Sequence, residues 1–369
     1  FEGLFVLLGA RWDFLLHENS TISEIEDAYD EGQPGAVLPE RSISRLSPRL
    51  GISHPITETA KLYFNYGHFY QTPNFQYFYR SLTGNKANNQ VVGNPNLKHE
   101  KTVEYQFGIE AEFNETTLIN IQGFYRDIFD QISTIAVEVS RGYFIDRYMN
   151  LDYGRSRGAS ISYNRNTTHT VIDANYELSF AYGKASSAEA ALQNRVDNQP
   201  VNRDEHPLNW DQTHSLNAYY SLFYGPGDRP ELFGFKLPSD WLASVSVTYG
   251  SGRPYTPSRY TLGIDNSALI LANSSRMPWT ETTNLKLEKY FRFGGDNSSH
   301  KMVVGVDIQN LFNKNNVRSL YPETGSTDQV LHGKNPDHIL YYPGKNTFDD
   351  NPWNYSPPRH IMLRVAYTF

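Results

Sequence analysis

The sequence predicts an all-β protein, a transmembrane antiparallel up-and-down β-barrel of which about twelve strands are visible. Three observations carry that expectation. Apolar and polar residues alternate with period two over segments of about ten residues, the length of a tilted membrane-spanning strand. Short and long connections between those segments take turns. The last segment ends on an aromatic residue, Phe369, with no tail after it. A soluble protein avoids an exposed apolar terminal strand because an open edge recruits other chains. A barrel pairs that edge and turns the apolar face to lipid.

Composition narrows the classes further. The 369 residues include 26 Tyr and 21 Phe, an aromatic share of 14% that suits rings at membrane interfaces. Hydrophobic residues make up 39%, and no run approaches the ~18 apolar residues of a membrane helix. That excludes helical membrane proteins and leaves barrels open, since alternation dilutes their hydropathy. With no cysteine, disulfides, thiolate chemistry and Cys-based metal sites are excluded. A net charge of −7 argues against non-specific nucleic-acid binding. The chain starts at Phe1 with no signal peptide, so it is expected to be a piece of a longer protein.

Taken in order, Leu4–Leu16 puts Leu8, Ala10, Trp12 and Phe14 on one face and Gly9, Arg11 and Asp13 on the other. A polar stretch, Asn19–Ser44, precedes strands at Leu46–His54 and Ala60–Phe69. After about Gln71–Leu97 comes Thr102–Phe113, with Val103, Tyr105, Phe107, Ile109, Ala111 and Phe113 opposite Glu104, Gln106 and Glu110. Leu118–Gln131, Leu151–Asn164 and Val171–Gly183 follow. The last of these carries Asp173, Asn175 and Glu177 on one face, which no sheet buried on both sides would accept. Ser186–Gln193 is Ala-rich, and Ser186 with Glu189 reads as a capping box opening a short helix. Strands resume at His214–Tyr224, Trp241–Gly250, Glu281–Phe291, Met302–Phe312 and Tyr355–Phe369.

The connections near Ile56–Thr59, Asn114–Thr116, Arg165–Thr170, Pro226–Asp240 and Phe293–His300 are short or moderate. Those between them, including the stretch between Gln131 and Leu151, read as long loops. Outer-membrane barrels keep short turns in the periplasm and long loops outside. Counted back from a periplasmic C-terminus, every long loop falls on the extracellular side.

Several stretches occur in an order that resembles the C-terminal barrel of TonB-dependent outer-membrane receptors. They are Tyr66-Gly67 through Gln71-Thr72-Pro73, then Gly93-Asn94-Pro95-Asn96-Leu97-Lys98-His99-Glu100 leading into Glu104-Tyr105-Gln106-Phe107-Gly108. Ser251-Gly252-Arg253-Pro254-Tyr255-Thr256-Pro257, Thr283 to Lys289, Asn310-Leu311-Phe312-Asn313-Lys314 and Pro358-Arg359 through Phe369 complete the set. Each also has a physical reading. Asn94-Pro95 presets an extended entry to the next strand. Asn310, Asn313, Asn315 and Asn316 suit a strand end turning into loop, because Asn tolerates left-handed backbone.

The resemblance implies a barrel of about 22 strands with an N-terminal plug. Residues 1–369 then form the C-terminal part of the barrel, with the plug and first strands absent. It implies residence in the outer membrane of a Gram-negative cell and active uptake of a scarce ligand such as a siderophore, glycan or peptide. The implied partners are the energy-coupling TonB complex, reached through a missing N-terminal region, and the barrel-assembly machinery. Outer-membrane lipid and lipopolysaccharide are expected around the wall, a surface lipoprotein is a further candidate, and nucleic acid is not expected. The alternative is a passive porin of about twelve strands.

No catalytic, cofactor or metal site is expected. Gly154-Arg155-Ser156-Arg157-Gly158 matches a nucleophile-elbow pattern but runs into the alternating Ala159, Ile161 and Tyr163 rather than a helix. His206 and His214 lack zinc-ligand spacing, and the acidic Glu24–Glu31 cluster lacks the central Gly of a calcium loop. The stretch from Phe69 to Arg80 mixes rings with amides and a guanidinium, which could stack on and hydrogen-bond a ligand. Its candidate residues are Tyr70, Gln71, Asn74, Phe75, Tyr77, Phe78, Tyr79 and Arg80, joined by Tyr255, Tyr260 and Trp353 in other outer loops. In resembling families an alternating final strand ending on an aromatic is the assembly signal, which assigns that role to Val365, Tyr367 and Phe369.

Overall fold

The computed structural model describes residues 3–17, 41–80, 91–140, 143–192, 204–232, 234–257, 271–294, 300–321, 324–328 and 351–369. Twelve strands follow one another in an antiparallel sheet in which each pairs with its sequence neighbour. They are β1 (Phe5–His17), β2 (Arg41–Pro55), β3 (Ala60–Gln71), β4 (Glu100–Asn114), β5 (Thr117–Ser140) and β6 (Tyr143–Asn166). The others are β7 (Thr170–Gly183), β8 (His214–Tyr224), β9 (Trp241–Gly250), β10 (Thr280–Arg292), β11 (Lys301–Gln309) and β12 (His360–Thr368). This is the up-and-down wall that the alternation predicts. Among the described residues β1 pairs only with β2 and β12 only with β11, so the sheet is a curved wall with two edges.

Register converts the period-two pattern into two chemically different faces. One row across the wall reads Leu8, Leu50, Tyr66, Tyr105, Tyr125, Arg157 and Phe180. The adjacent row reads Gly9, Arg49, Gly67, Glu104, Arg126, Ser156 and Ala181. The first face is outward and mostly apolar. Trp12, Phe107, Ile121, Ile161, Leu287, Leu363 and Val365 all lie open on it. Such a band of large apolar side chains would be intolerable in water and is what lipid requires.

The second face lines the lumen, and its charges are paired both within and across strands. Arg126 Nε donates to Glu104 at 2.8 Å, and Lys61 meets Glu110 at 2.7 Å. Arg11 pairs with Asp13 at 2.7 Å, and the Tyr63 hydroxyl is 2.9 Å from both Asn120 and Gln122. These half-exposed pairs each contribute only about 0–1 kcal/mol. Their main effect is to keep the lumen polar.

Aromatic rings gather at the two ends of the outward face. Near the short turns His169 stacks on Tyr224, which lies beside Trp241, and Phe293 and His300 flank Tyr367. Near the long loops, Tyr176, His214, Trp279 and Tyr249 form a chain of neighbouring rings. Between the two girdles lies the membrane-spanning part of each strand.

Three expectations are corrected. The stretch between Gln131 and Leu151 is not a long loop: β5 and β6 run 24 residues each and leave 141–142 as the connection. Their pairing shifts register at Asp130, whose φ of 58° marks a bulge, and the hairpin continues above the rest of the wall. The strand expected through Phe312 stops at Gln309, because Asn310 adopts φ 53°. The final strand starts at His360, and the residues before it form a short 3-10 helix, Pro352–Asn354. Tyr260 and residues 19–40 of the polar stretch after β1 lie outside the described residues.

Candidate functional site

The outer ends of β3 to β6 support a folded cap. Pro73 is buried at the end of β3, and Asn74 then caps a five-residue helix, α1 (Phe75–Tyr79), by accepting from the Gln76 amide. The chain returns through the two-residue strand Val91–Val92, which lies parallel to Asp146 and Arg147 of the β6 extension. Phe78, Val91, Leu97, Ile132 and Tyr148 make a core under 5% exposed. Leu15 and Ile43 from the ends of β1 and β2, with Tyr77, Tyr79, Ala188 and Leu192, pack around it.

Polar groups lock this core in register. Asn94 Nδ2 donates to the Tyr148 carbonyl at 2.8 Å, while Asn94 Oδ1 accepts from Asn96 N. The Asn94 side chain therefore does more than end a loop: it ties the loop to a strand 54 residues away. Gly93 lies so close to α1 that a Cβ there would fall 2.5 Å from the Phe78 carbonyl oxygen, which explains glycine at that position. The Tyr148 hydroxyl donates to Glu189 at 2.6 Å, and Arg80 reaches both, at 2.9 Å and 3.1 Å. Burial and the Glu189 carboxylate push the Tyr148 phenol up to about 12.

The capping box expected at Ser186 does not form, since Ser186 Oγ accepts from Asn209 N, 23 residues away. Glu189 serves Arg80 and Tyr148. The described helical residues in this stretch are 190–192.

Beneath α1 a cavity of about 300 Å³ opens at the mouth of the lumen. Gln71, Asn74 and Tyr77 reach it from β3 and α1, Glu100 from the start of β4, and Gln131 and Asp152 from the base of the projecting hairpin. Ala185 to Ala188 and Trp210 close the opposite side. The bulge at Asp130 turns the hairpin so that Gln131 lies opposite Asp152, and Asn150 Nδ2 holds the bend by donating to Asp130 O at 2.6 Å.

All these groups lie above the outer aromatic ring, outside the membrane-spanning part of the wall. Glu100 accepts from the Ile132 amide at 3.1 Å, yet burial still pushes its carboxyl up from the usual range. Burial pushes Asp152 up as well, against the opposing influence of Ser133, Lys184 and His206.

Of the residues singled out in the sequence, Gln71, Asn74 and Tyr77 come together in this cavity. Phe78, Tyr79 and Arg80 belong to the cap, and Phe75 stands on it 60% exposed. Tyr70 takes the outward register on β3, opposite Lys101. Tyr255 pairs with Ser275 in a separate two-stranded ribbon, and Trp353 is 83% exposed in the 3-10 helix. Val365 and Tyr367 lie outward on β12, with Phe369 just past its end. Sequence reasoning missed Glu100, Gln131, Asp152 and Trp210 as partners of one cavity. A faint signal existed in Glu100, which closes the Gly93 to Glu100 motif.

The comparisons with known proteins agree with the wall geometry. A family model described as "TonB dependent receptor-like, beta-barrel" matches residues 1–311. No curated protein sequence matches the chain. Among solved structures, the outer membrane transporter YddB from Escherichia coli is similar with a TM-score of 0.54 and 14% identity, over 89% of this chain and 42% of that one. The siderophore receptor PirA from Acinetobacter baumannii gives 0.53 and 17%, over 89% and 42%. The copper transporter OprC gives 0.53 and 15%, over 100% and 45%. The chain spans less than half the length of each, and at these identities the likeness is one of fold.

Proposed function

The chain belongs to the TonB-dependent receptor-like β-barrel family, and from that premise we propose that it is the wall and outer mouth of an active transporter. Barrels of this family are bacterial outer-membrane proteins, and the family is one of receptors and transporters rather than enzymes. The proposed role is capture of a scarce ligand such as a siderophore, glycan or peptide at the outer mouth, followed by energised passage through the lumen. The observation that supports it is the two-faced wall: an outward apolar band between aromatic girdles, a lumen of paired charges, and folded loops roofing one end. This reading asks for a plug within the lumen and a segment engaging the TonB complex, both proposed to lie outside residues 1–369.

The test is uptake in cells. Accumulation of the ligand should stop when a protonophore collapses the proton gradient or the coupling protein is deleted. A passive pore would go on admitting solutes under both treatments, and that result would sink the active-transport reading. The assembly role proposed for Val365, Tyr367 and Phe369 has its own test. Phe369→Ala should lower the amount of protein in the outer membrane severalfold while leaving ligand affinity of the assembled fraction unchanged.

A further inference from the structure

The outward face changes character towards the outer ends of β5, β6 and β7. In one row Tyr66, Tyr105 and Tyr125 stand side by side, with successive ring centroids 5.1 and 6.5 Å apart. The next place in that row is held by Arg157, and Phe180 follows it. One step outward along β6 lies Arg155, opposite Asp127 on β5 and Tyr182 on β7. Lys184, just past β7, holds its Nζ 5.0 Å from the centre of the Tyr153 ring, one further step along β6. Both arginines are exposed. Three cations therefore stand on the face that elsewhere meets hydrocarbon.

Their neighbours neutralise one of the three. Arg155 pairs with Glu205, and Asp127 lies across from it. Among the described residues neither Arg157 nor Lys184 forms an ion pair. Charges on the outward face of β10 are matched instead: Glu281 meets Lys314 at 3.1 Å, and Lys289 donates to the carbonyls of Ser239 and Asp240.

A guanidinium beside hydrocarbon is costly unless it reaches water or an anion. The long loops mark this end of the wall as the extracellular one, where the surrounding leaflet carries a phosphorylated glycolipid. Arginine presents a planar fork of donors that matches phosphate, and lysine a compact positive charge. From Arg157 to the level of Lys184 the cations climb four residues, about 13 Å along the strand. That range suits a headgroup of several sugars and phosphates better than one small anion. Tyr125 and Tyr153 add aromatic surface with a polar tip between the charges.

We propose that this patch binds one lipopolysaccharide molecule at the base of the projecting β5–β6 hairpin, with its phosphates on Arg157 and Lys184 and its sugars against Tyr125 and Tyr153. The site goes beyond the uptake reading and does not depend on it, since a passive barrel would carry the same patch.

The test uses the full-length protein purified in detergent, with bound lipid counted by native mass spectrometry. The probes are a rough-type lipopolysaccharide with phosphorylated lipid A and inner core, the same molecule stripped of its phosphates, and phosphatidylglycerol. The phosphorylated form should bind saturably, the stripped form about tenfold more weakly, and phosphatidylglycerol should not displace the first. Arg157→Gln and Lys184→Gln should each weaken binding about fivefold, the effect of one basic residue near an anionic lipid surface. Arg157→Lys should recover most of that loss, which a merely misfolded variant would not. Arg165→Gln, on the same face at the opposite end of β6, should leave binding unchanged. Equal binding of the stripped form, displacement by phosphatidylglycerol, or unchanged affinity in both glutamine variants would each overturn the proposal. Loss of binding on chelation of divalent cations would also overturn it, by assigning the contact to Asp127 and Glu205 through a metal bridge.

Discussion

The outer ends of the wall are organised in two contrasting ways. Over β3 to β6 the loops share an apolar core of Phe78, Val91, Leu97, Ile132 and Tyr148. Over β7 to β12 the described loops are held by polar staples. Asp211, 1% exposed, accepts from the Ala181 amide at 2.6 Å and pairs with Arg276 at 2.5 Å, joining the turn before β8 to the segment before β10. Asn273 Nδ2 donates to the Pro207 carbonyl, and Gln212 Nε2 to that of Ser251. Further along, Asn316 bonds both the amide and the carbonyl of Glu281, while Asn310 bridges Lys314 and Pro357.

The difference teaches how each region should respond to change. An apolar core is diffuse: each residue adds to one cooperative unit, and repacking can absorb part of a loss. A polar staple is specific, and deleting one partner leaves the other buried and unsatisfied. The cavity lies at the margin of the apolar cap. It combines a floor rigidified by packing with a lining of polar side chains.

The largest test of the contrast is Tyr148→Ala. It removes the centre of the cap, its link to Glu189, and about 3–5 kcal/mol of local stability by analogy with large-to-small core changes. Hydrogen exchange and proteolysis should show 72–80 and 91–99 opening while β8 to β12 stay protected. Opening of the whole wall instead would mean that cap and barrel are one cooperative unit. Next comes Asp211→Ala, which strips the Ala181 amide and strands Arg276, at a cost of about 3 kcal/mol. Faster exchange should appear at 204–213 and 271–277 and leave the cap untouched.

Asn310→Gly sharpens the comparison. Glycine keeps the positive φ but removes the side-chain bonds to Lys314 and Pro357, so a loss of about 1–2 kcal/mol would assign most of the residue's value to those bonds. No measurable loss would assign it to backbone geometry alone. Smallest of all, Arg11→Gln breaks an exposed pair with Asp13 and should shift urea stability by less than about 1 kcal/mol.

Much of the wall was legible before any coordinates. Val103 to Phe113 against Glu104 to Glu110 states the two faces directly, because a strand's side chains alternate by backbone geometry alone. Asn310 and Asn313 advertised their left-handed backbone, and both have φ 53°. The strand end at Phe312 was misplaced because apolar character continues past the residue whose backbone breaks the ladder. The β5–β6 extension was missed because Asp130 shifts the register halfway, so that a single alternating frame no longer fits both sides of the bulge.

The cap and its cavity were far less legible. Asn94 needs Tyr148 54 residues away, and Arg80 needs Glu189 at a distance of 109. Aromatic and amide richness in Phe69 to Arg80 marked the right stretch, yet could not separate Tyr77 in the cavity from Phe78 in the core one residue on. The sequence by itself determined the wall: strand count, antiparallel order, which face meets lipid and which end carries long loops, all consequences of local periodicity and turn length. Only the tertiary structure decided which loops share a core and which polar side chains gather around one cavity. Those are properties of residues brought near by the curvature of the sheet and the bulge at Asp130, and no local pattern encodes a distance between separate strands.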